Sequence, residues 1–215
     1  SANGYVGANT GGNGTVTVDG SGSTWTSSGT IYLGNVGAGS MTLSNSGTAS
    51  ATTTYIGTNS GSSGTLLIQS GGGLNDTSAI IGANAGSTGM VTVDGPNSGW
   101  TNGGTLFLGT GGSGTLTLSN GGTAGAATTY VGVNSGSYGT LLVQSGGQFS
   151  GTSAAVGANA GSSGEVTVDG AGSAWVNSGT LYLGRSGTGS LNLSDGGAAS
   201  AAATYVGTYA GSSGA

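Results

Sequence analysis

The sequence predicts an all-β fold, a parallel β-helix of the solenoid kind with about 25 residues per rung, and three observations predict it. Gly14, Gly39, Gly64, Gly89, Gly114, Gly139, Gly164, Gly189 and Gly214 recur at one constant interval without a miss. A strand-like block follows eight of these glycines at a fixed offset, from Thr15-Val16-Thr17-Val18 through Thr65-Leu66-Leu67-Ile68 to Ser190-Leu191-Asn192-Leu193. Glycine throughout the chain, together with runs that alternate with period two, disfavours helix. Repeats of this kind touch only their neighbours, so residues 1–215 read as one continuous solenoid segment of about 8.6 rungs, expected to belong to a longer array.

Within a rung three short strands are expected. The first ends at an aliphatic residue followed by glycine: Val6-Gly7, Leu33-Gly34, Ile56-Gly57, Ile81-Gly82, Leu108-Gly109, Val131-Gly132, Val156-Gly157, Leu183-Gly184 and Val206-Gly207. Their spacing rotates through 27, 23 and 25, so three rung types alternate in a three-rung superunit, and Trp25, Trp100 and Trp175 each mark one superunit. A loop rich in Gly, Asn and Ser then leads to the array glycine, which is read as a structural turn residue that tolerates positive φ. The second strand is the Thr15–Val18 block, whose alternation puts Val16 and Val18 on one face and Thr15 and Thr17 on the other. After a corner such as Asp19-Gly20, the third stretch carries one apolar residue of varying size: Trp25, Ala49, Leu74, Trp100, Ala124, Phe149, Trp175, Ala199. Stacked at roughly 4.8 Å per rung, the large residues would fill space left by the alanines, which makes Trp25, Leu74, Trp100, Phe149 and Trp175 the expected core.

Consecutive rungs keep the same strand order, so each strand should pair in parallel with its counterpart one repeat later. The coil is expected to be right-handed and three-sided. A lone rung cannot fold. Its about five inward side chains, worth roughly 1.5–3 kcal/mol each when buried, do not offset about 1–2 kcal/mol of backbone entropy for every residue of the rung.

Composition narrows function by exclusion. Only seven residues carry formal charge, Arg185 against Asp19, Asp76, Asp94, Glu165, Asp169 and Asp195, and histidine and cysteine are absent. One cation gives no electrostatic footprint for nucleic acid or an anionic membrane. No apolar run is long enough to insert into a bilayer. Triads built on His or Cys are impossible. Glu165 and Asp169 stand about 13 Å apart along one strand, too far for a paired-carboxylate mechanism, and no enzyme activity is expected. Asp19-Gly20, Asp94-Gly95 and Asp169-Gly170 are read as turn formers rather than calcium ligands, because Ser44 and Gln69 occupy that phase in the rungs between. No metal and no cofactor are expected.

The outward positions hold the remaining signal. Beside the aliphatic–glycine pairs stand Tyr5, Tyr32, Tyr55, Ile80, Phe107, Tyr130, Ala155, Tyr182 and Tyr205, seven of nine aromatic. If the next residue points inward, these form an outward aromatic ladder that serves either strand stability or contact with a partner. A second outward set, Thr15 and Thr17, Ser40 and Thr42, Thr115 and Thr117, has the regularity of ice-binding surfaces but is broken by Met90, Leu67, Leu142, Glu165 and Asn192.

The stretch Val16-Thr17-Val18-Asp19-Gly20-Ser21-Gly22-Ser23-Thr24-Trp25, with Gly29-Thr30-Ile31-Tyr32-Leu33-Gly34 after it, recurs around Asp94-Gly95 with Trp100 and around Asp169-Gly170 with Trp175. This pattern resembles the repeat associated with bacterial type V secretion (autotransporter) and PEP-CTERM proteins. Pro96-Asn97 departs from its usual small corner residues. The resemblance implies a secreted or cell-surface β-helix of passenger type and supplies no catalytic residues. The expected function is an extracellular structural shaft or fibre that self-associates end to end or laterally. The alternatives are an adhesin for carbohydrate or another surface and, more remotely, an ice-binding protein.

Overall fold

The computed structural model describes residues 1–215, and all of its regular structure is β. Every pairing between strands is parallel. The strands that follow the Gly-rich loops, Asn13–Asp19, Ala38–Ser44, Ser63–Gln69 and onward to Thr188–Ser194, stack with the short Ser213–Gly214 into a nine-stranded sheet. Each residue pairs with its counterpart one repeat on, with Val16 opposite Met41, Met41 opposite Leu66 and Leu66 opposite Val91. This register follows from the sequence pattern: a slip of one residue would turn Leu66 and Ile68, both fully buried, out to solvent.

The other two strand columns share one sheet. In the first rungs they are separate, as Thr24–Thr26 and Thr30–Leu33. From the third rung they fuse into single long strands, Gly73–Ile81, Gly99–Leu108, Thr123–Val131 and Gln148–Val156, before parting again at Ala174–Asn177 and Thr180–Leu183. The three strand columns expected for each rung are present, and two of them share one hydrogen-bonded sheet. No true turn divides the third stretch from the first strand of the next rung, so the backbone continues extended through both. Of the two extra residues in the longest spacing, one is taken up at the corner between Asp94 and Gly99 and the other at Gly103-Gly104, where the register shifts between Asn102 and Thr105.

The array glycines also need correction. Gly14, Gly39, Gly64, Gly89, Gly114, Gly139, Gly164 and Gly189 lie inside the strands of the nine-stranded sheet rather than in a turn. What they require is close approach: a Cβ on Gly14 would lie 2.6 Å from the Gly7 nitrogen, and one on Gly64 would collide with the Gly57 nitrogen and the Leu33 carbonyl oxygen. The positive φ sits at the partner glycine of the aliphatic pair, as at Gly57 with φ of 72°. The two glycines of each rung thus let strand and corner backbones touch.

The core runs the length of the body, and its large–small alternation is realised: Trp25 is opposite Ala49, Ala49 opposite Leu74, Leu74 opposite Trp100, and the order repeats through Ala124, Phe149 and Trp175. Leu74, Trp100, Phe149 and Trp175 are buried as expected. Trp25 is only partly buried, because the first rung gives it a neighbour on one side alone. Pro96-Asn97 proves compatible with its corner. Ser98 N–H donates to the Gly95 carbonyl and Asn97 takes φ of 65°, the place held by Gly22 and Gly172 in the equivalent turns.

Candidate functional site

The aromatic column faces outward, because Val6, Leu33, Ile56 and Val131 beside it are buried. Tyr5 is opposite Tyr32 and Tyr32 opposite Tyr55 in the sheet register. Their rings stack at 4.8 Å and 5.3 Å between centroids with interplanar angles of 4° and 14°. Phe107 and Tyr130 stack at 5.3 Å, and so do Tyr182 and Tyr205. Ile80 interrupts the ladder after Tyr55 and Ala155 after Tyr130, so the seven aromatics form three stacks rather than one. Within a stack the ring faces cover each other. The stack therefore presents ring edges and phenol hydroxyls to solvent.

A second ladder beside it is not among the positions that the sequence reading picks out. Asn35, Asn59 and Asn84 sit at the corner just after the aliphatic–glycine pairs and hydrogen-bond along the axis. Asn59 Nδ2 donates to the Asn35 backbone carbonyl at 2.8 Å and to Asn35 Oδ1 at 3.3 Å, and Asn84 Nδ2 donates to Asn59 Oδ1 at 3.4 Å. Asn159 repeats the contact on Asn134. The signal that could have found it is the asparagine at the second position after Gly57, Gly82, Gly132 and Gly157.

Between these ladders runs a groove of about 460 Å³ from Tyr5 to Thr110, lined by Tyr32, Tyr55, Ile80, Asn35 and Asn84 among others, with no carboxylate or cation in its walls. Further along the stripe, Arg185, the one cation, lies over the Tyr182 ring at 5.8 Å.

The corner aspartates behave as turn residues. Ser44 Oγ and Asn45 Nδ2 donate to Asp19 Oδ1 at 2.6 and 2.8 Å, and these bonds hold the Asp19 carboxyl below its usual range. Ser119 and Asn120 repeat the arrangement on Asp94. At Asp169 only Ser194 donates, because Asp195 stands where the amide would be. On the threonine face, the Tyr138 hydroxyl donates to Glu165 Oε2 at 2.6 Å, and this bond raises the phenol's pKa.

Asp76 lies outside the Asp-Gly corners, two residues beyond the core residue Leu74 on the same strand face, and is buried. Trp100 Nε1 and Asn102 Nδ2 both donate to its Oδ1, at 3.2 and 2.8 Å, while Oδ2 has no partner. Loss of solvent dominates over these bonds and pushes its carboxyl up to about 6. The Thr54 hydroxyl favours the ionised form without making a full hydrogen bond. One superunit later Gly151 replaces Asp76, and Trp175 Nε1 and the Asn177 amide are left without partners.

No group of three or more acidic, His or Cys side chains is placed to hold a metal ion, and no helix is long and apolar enough to cross a membrane. No family model matches the chain, and no curated protein matches it. Among solved structures the chain is similar to a TibC-catalysed, hyper-glycosylated TibA55-350 fragment, at 22% identity over 97% of this chain and 90% of that one, with a TM-score of 0.26. A superposition that loose leaves family and function to be argued from the chain itself.

Proposed function

We propose that this protein is a non-catalytic, extracellular structural shaft of a bacterial surface or matrix, built to extend and to associate with further copies. The observation that supports it most is the unbroken parallel ladder. One nine-stranded sheet and one core run from the first rung to the last, with almost no formal charge on the flanks to keep copies apart. The resemblance of the Asp-Gly and Trp pattern to type V secretion repeats supports the extracellular placement. Negative-stain electron microscopy tests the shaft: rods that lengthen by roughly 4.8 Å for each added rung are expected, and compact particles would refute it. Protease accessibility on intact host cells tests the location, and protection until lysis would refute a surface role.

A second reading, adhesion to carbohydrate, is favoured by the groove beside the tyrosine stack. Replacing Tyr55 and Tyr130 by Ser separates the two. Loss of glycan binding with rods and bundles intact supports adhesion, and loss of bundling supports lateral packing through the stripe.

A further inference from the structure

We infer that the groove between the Tyr5–Tyr32–Tyr55 stack and the Asn35–Asn84 ladder binds an uncharged polysaccharide, laid along the solenoid axis with its hydroxyls toward the phenols and carboxamides. This rests on the adhesion reading above and names its ligand class. Three observations carry it.

The first is chemical. The walls present phenols, carboxamides and aliphatic surface, and no ionised group. A charged polymer would lose hydration there without gaining a counter-charge, whereas a neutral one exchanges hydrogen bonds with water for hydrogen bonds with the groove.

The second is periodicity. The groove spans the rungs from Tyr5 to Thr110, about 19 Å at the rise of a stacked strand. Over its first three rungs, from Tyr5 to Tyr55, phenols return at ring spacings of 4.8 and 5.3 Å. A partner that repeats its hydroxyls over several units matches such a surface. The ring faces are taken up by stacking, so the contacts are edge-on and through hydroxyls. The asparagine side chains are held in place by their own ladder, which lowers the ordering cost of binding.

The third is an internal comparison. One superunit later the same fold carries Phe107 for Tyr32, Thr110 for Asn35, Val133 for Thr58 and Ala155 for Ile80. The pairing of a phenol at Tyr32 with a carboxamide at Asn35 is therefore missing from the equivalent rung, and the scaffold tolerates its loss.

That comparison supplies the test. The double variant Tyr32→Phe, Asn35→Thr takes residues that the equivalent rung already accommodates, so its melting curve should match the wild type. Calorimetric titration of the intact chain with cellohexaose, maltohexaose and a galacturonate hexamer is the assay. Saturable binding of a neutral hexamer is expected, weakened at least tenfold in the double variant, with the galacturonate hexamer binding at least tenfold more weakly than the neutral one. Binding of a neutral hexamer that the double variant leaves unchanged would overturn the groove while sparing the adhesion reading. Equal binding of the charged hexamer would overturn the ligand class. Absence of binding to all three, together with no retention on insoluble cell-wall glycan, would overturn both readings.

Discussion

Replacing Asp76 by Asn should remove a pH-dependent loss of stability that the wild type suffers between pH 4 and 7. In the fold the Asp76 carboxyl titrates near 6 because burial disfavours its charge, against 3.8 in the unfolded chain. The folded state therefore keeps its proton through a window in which the unfolded state has released it. Stability from this group is full below about pH 4, falls as pH rises through the window, and is constant above about 6. The difference between 3.8 and about 6, at 1.36 kcal/mol per pKa unit, is about 3 kcal/mol. Asn keeps an oxygen for Trp100 Nε1 and Asn102 Nδ2 but cannot ionise. Urea unfolding of both proteins at half-unit pH steps, followed by tryptophan fluorescence, gives the difference directly, since the other carboxylates cancel between them. The two midpoints should lie close at pH 4, with the variant ahead by about 3 kcal/mol at pH 7. Parallel midpoint curves across the whole range would refute the reasoning, because Asp76 would then ionise as easily in the fold as outside it.

Gly64→Ala should prevent folding or cost several kcal/mol, because its Cβ would meet backbone at Gly57 and Leu33, which cannot move aside; a melting temperature near wild type would contradict the close approach. Trp100→Ala should cost about 3–5 kcal/mol and Trp25→Ala distinctly less, as only Trp100 is covered on both sides; equal losses in denaturation midpoints would be the contrary result. Asp195→Asn should stabilise by about 0.5–1.5 kcal/mol by restoring the amide donor that Asn45 and Asn120 give to the other corner aspartates, and an unchanged or lower midpoint would count against that corner's role. Asp19, whose carboxyl is held low by Ser44 and Asn45, adds stability that is present above the unfolded value of 3.8 and is lost as pH falls through its lower folded value; Asn45→Ala should shrink that acid-side loss in a pH-dependent melt.

Much of the fold can be read from the chain because its rules are local and repeated. Alternation in Thr15–Val18, glycine tolerance at Gly57 and the Trp–Ala–Leu rotation each act within one rung or between neighbours. The fusion of Gly73–Ile81 into one strand is not legible, since an extended run and a gentle corner share the same small residues. Gly64 reads as a turn residue for a related reason. A glycine needed for positive φ and one needed for contact look alike until the opposing backbone is known. The outward tyrosines are found by their phase, whereas their division into three stacks depends on Ile80 and Ala155 acting across rungs. Asp76 shares the inward face of Leu74 by strand alternation, but an ionisable residue at that phase is passed over until its partners Trp100 and Asn102 from the next rung are known.

The rotation of Trp100, Ala124 and Phe149 through the core also bears on how such a chain avoids misassembly. Near-identical rungs invite an error in which a strand docks one repeat out of place and the intervening rung is extruded. Skipping the Ala124 rung would set Trp100 directly on Phe149, and skipping the Trp100 rung would leave Leu74 on Ala124 with the tryptophan's volume unfilled. Either slip would also misplace the register shift at Gly103-Gly104. Only a shift of three rungs restores the match, and that would require looping out a whole superunit at once. Unequal rungs thus act as a proofreading key, and an idealised version with one consensus rung should fold with more slipped species than the natural sequence.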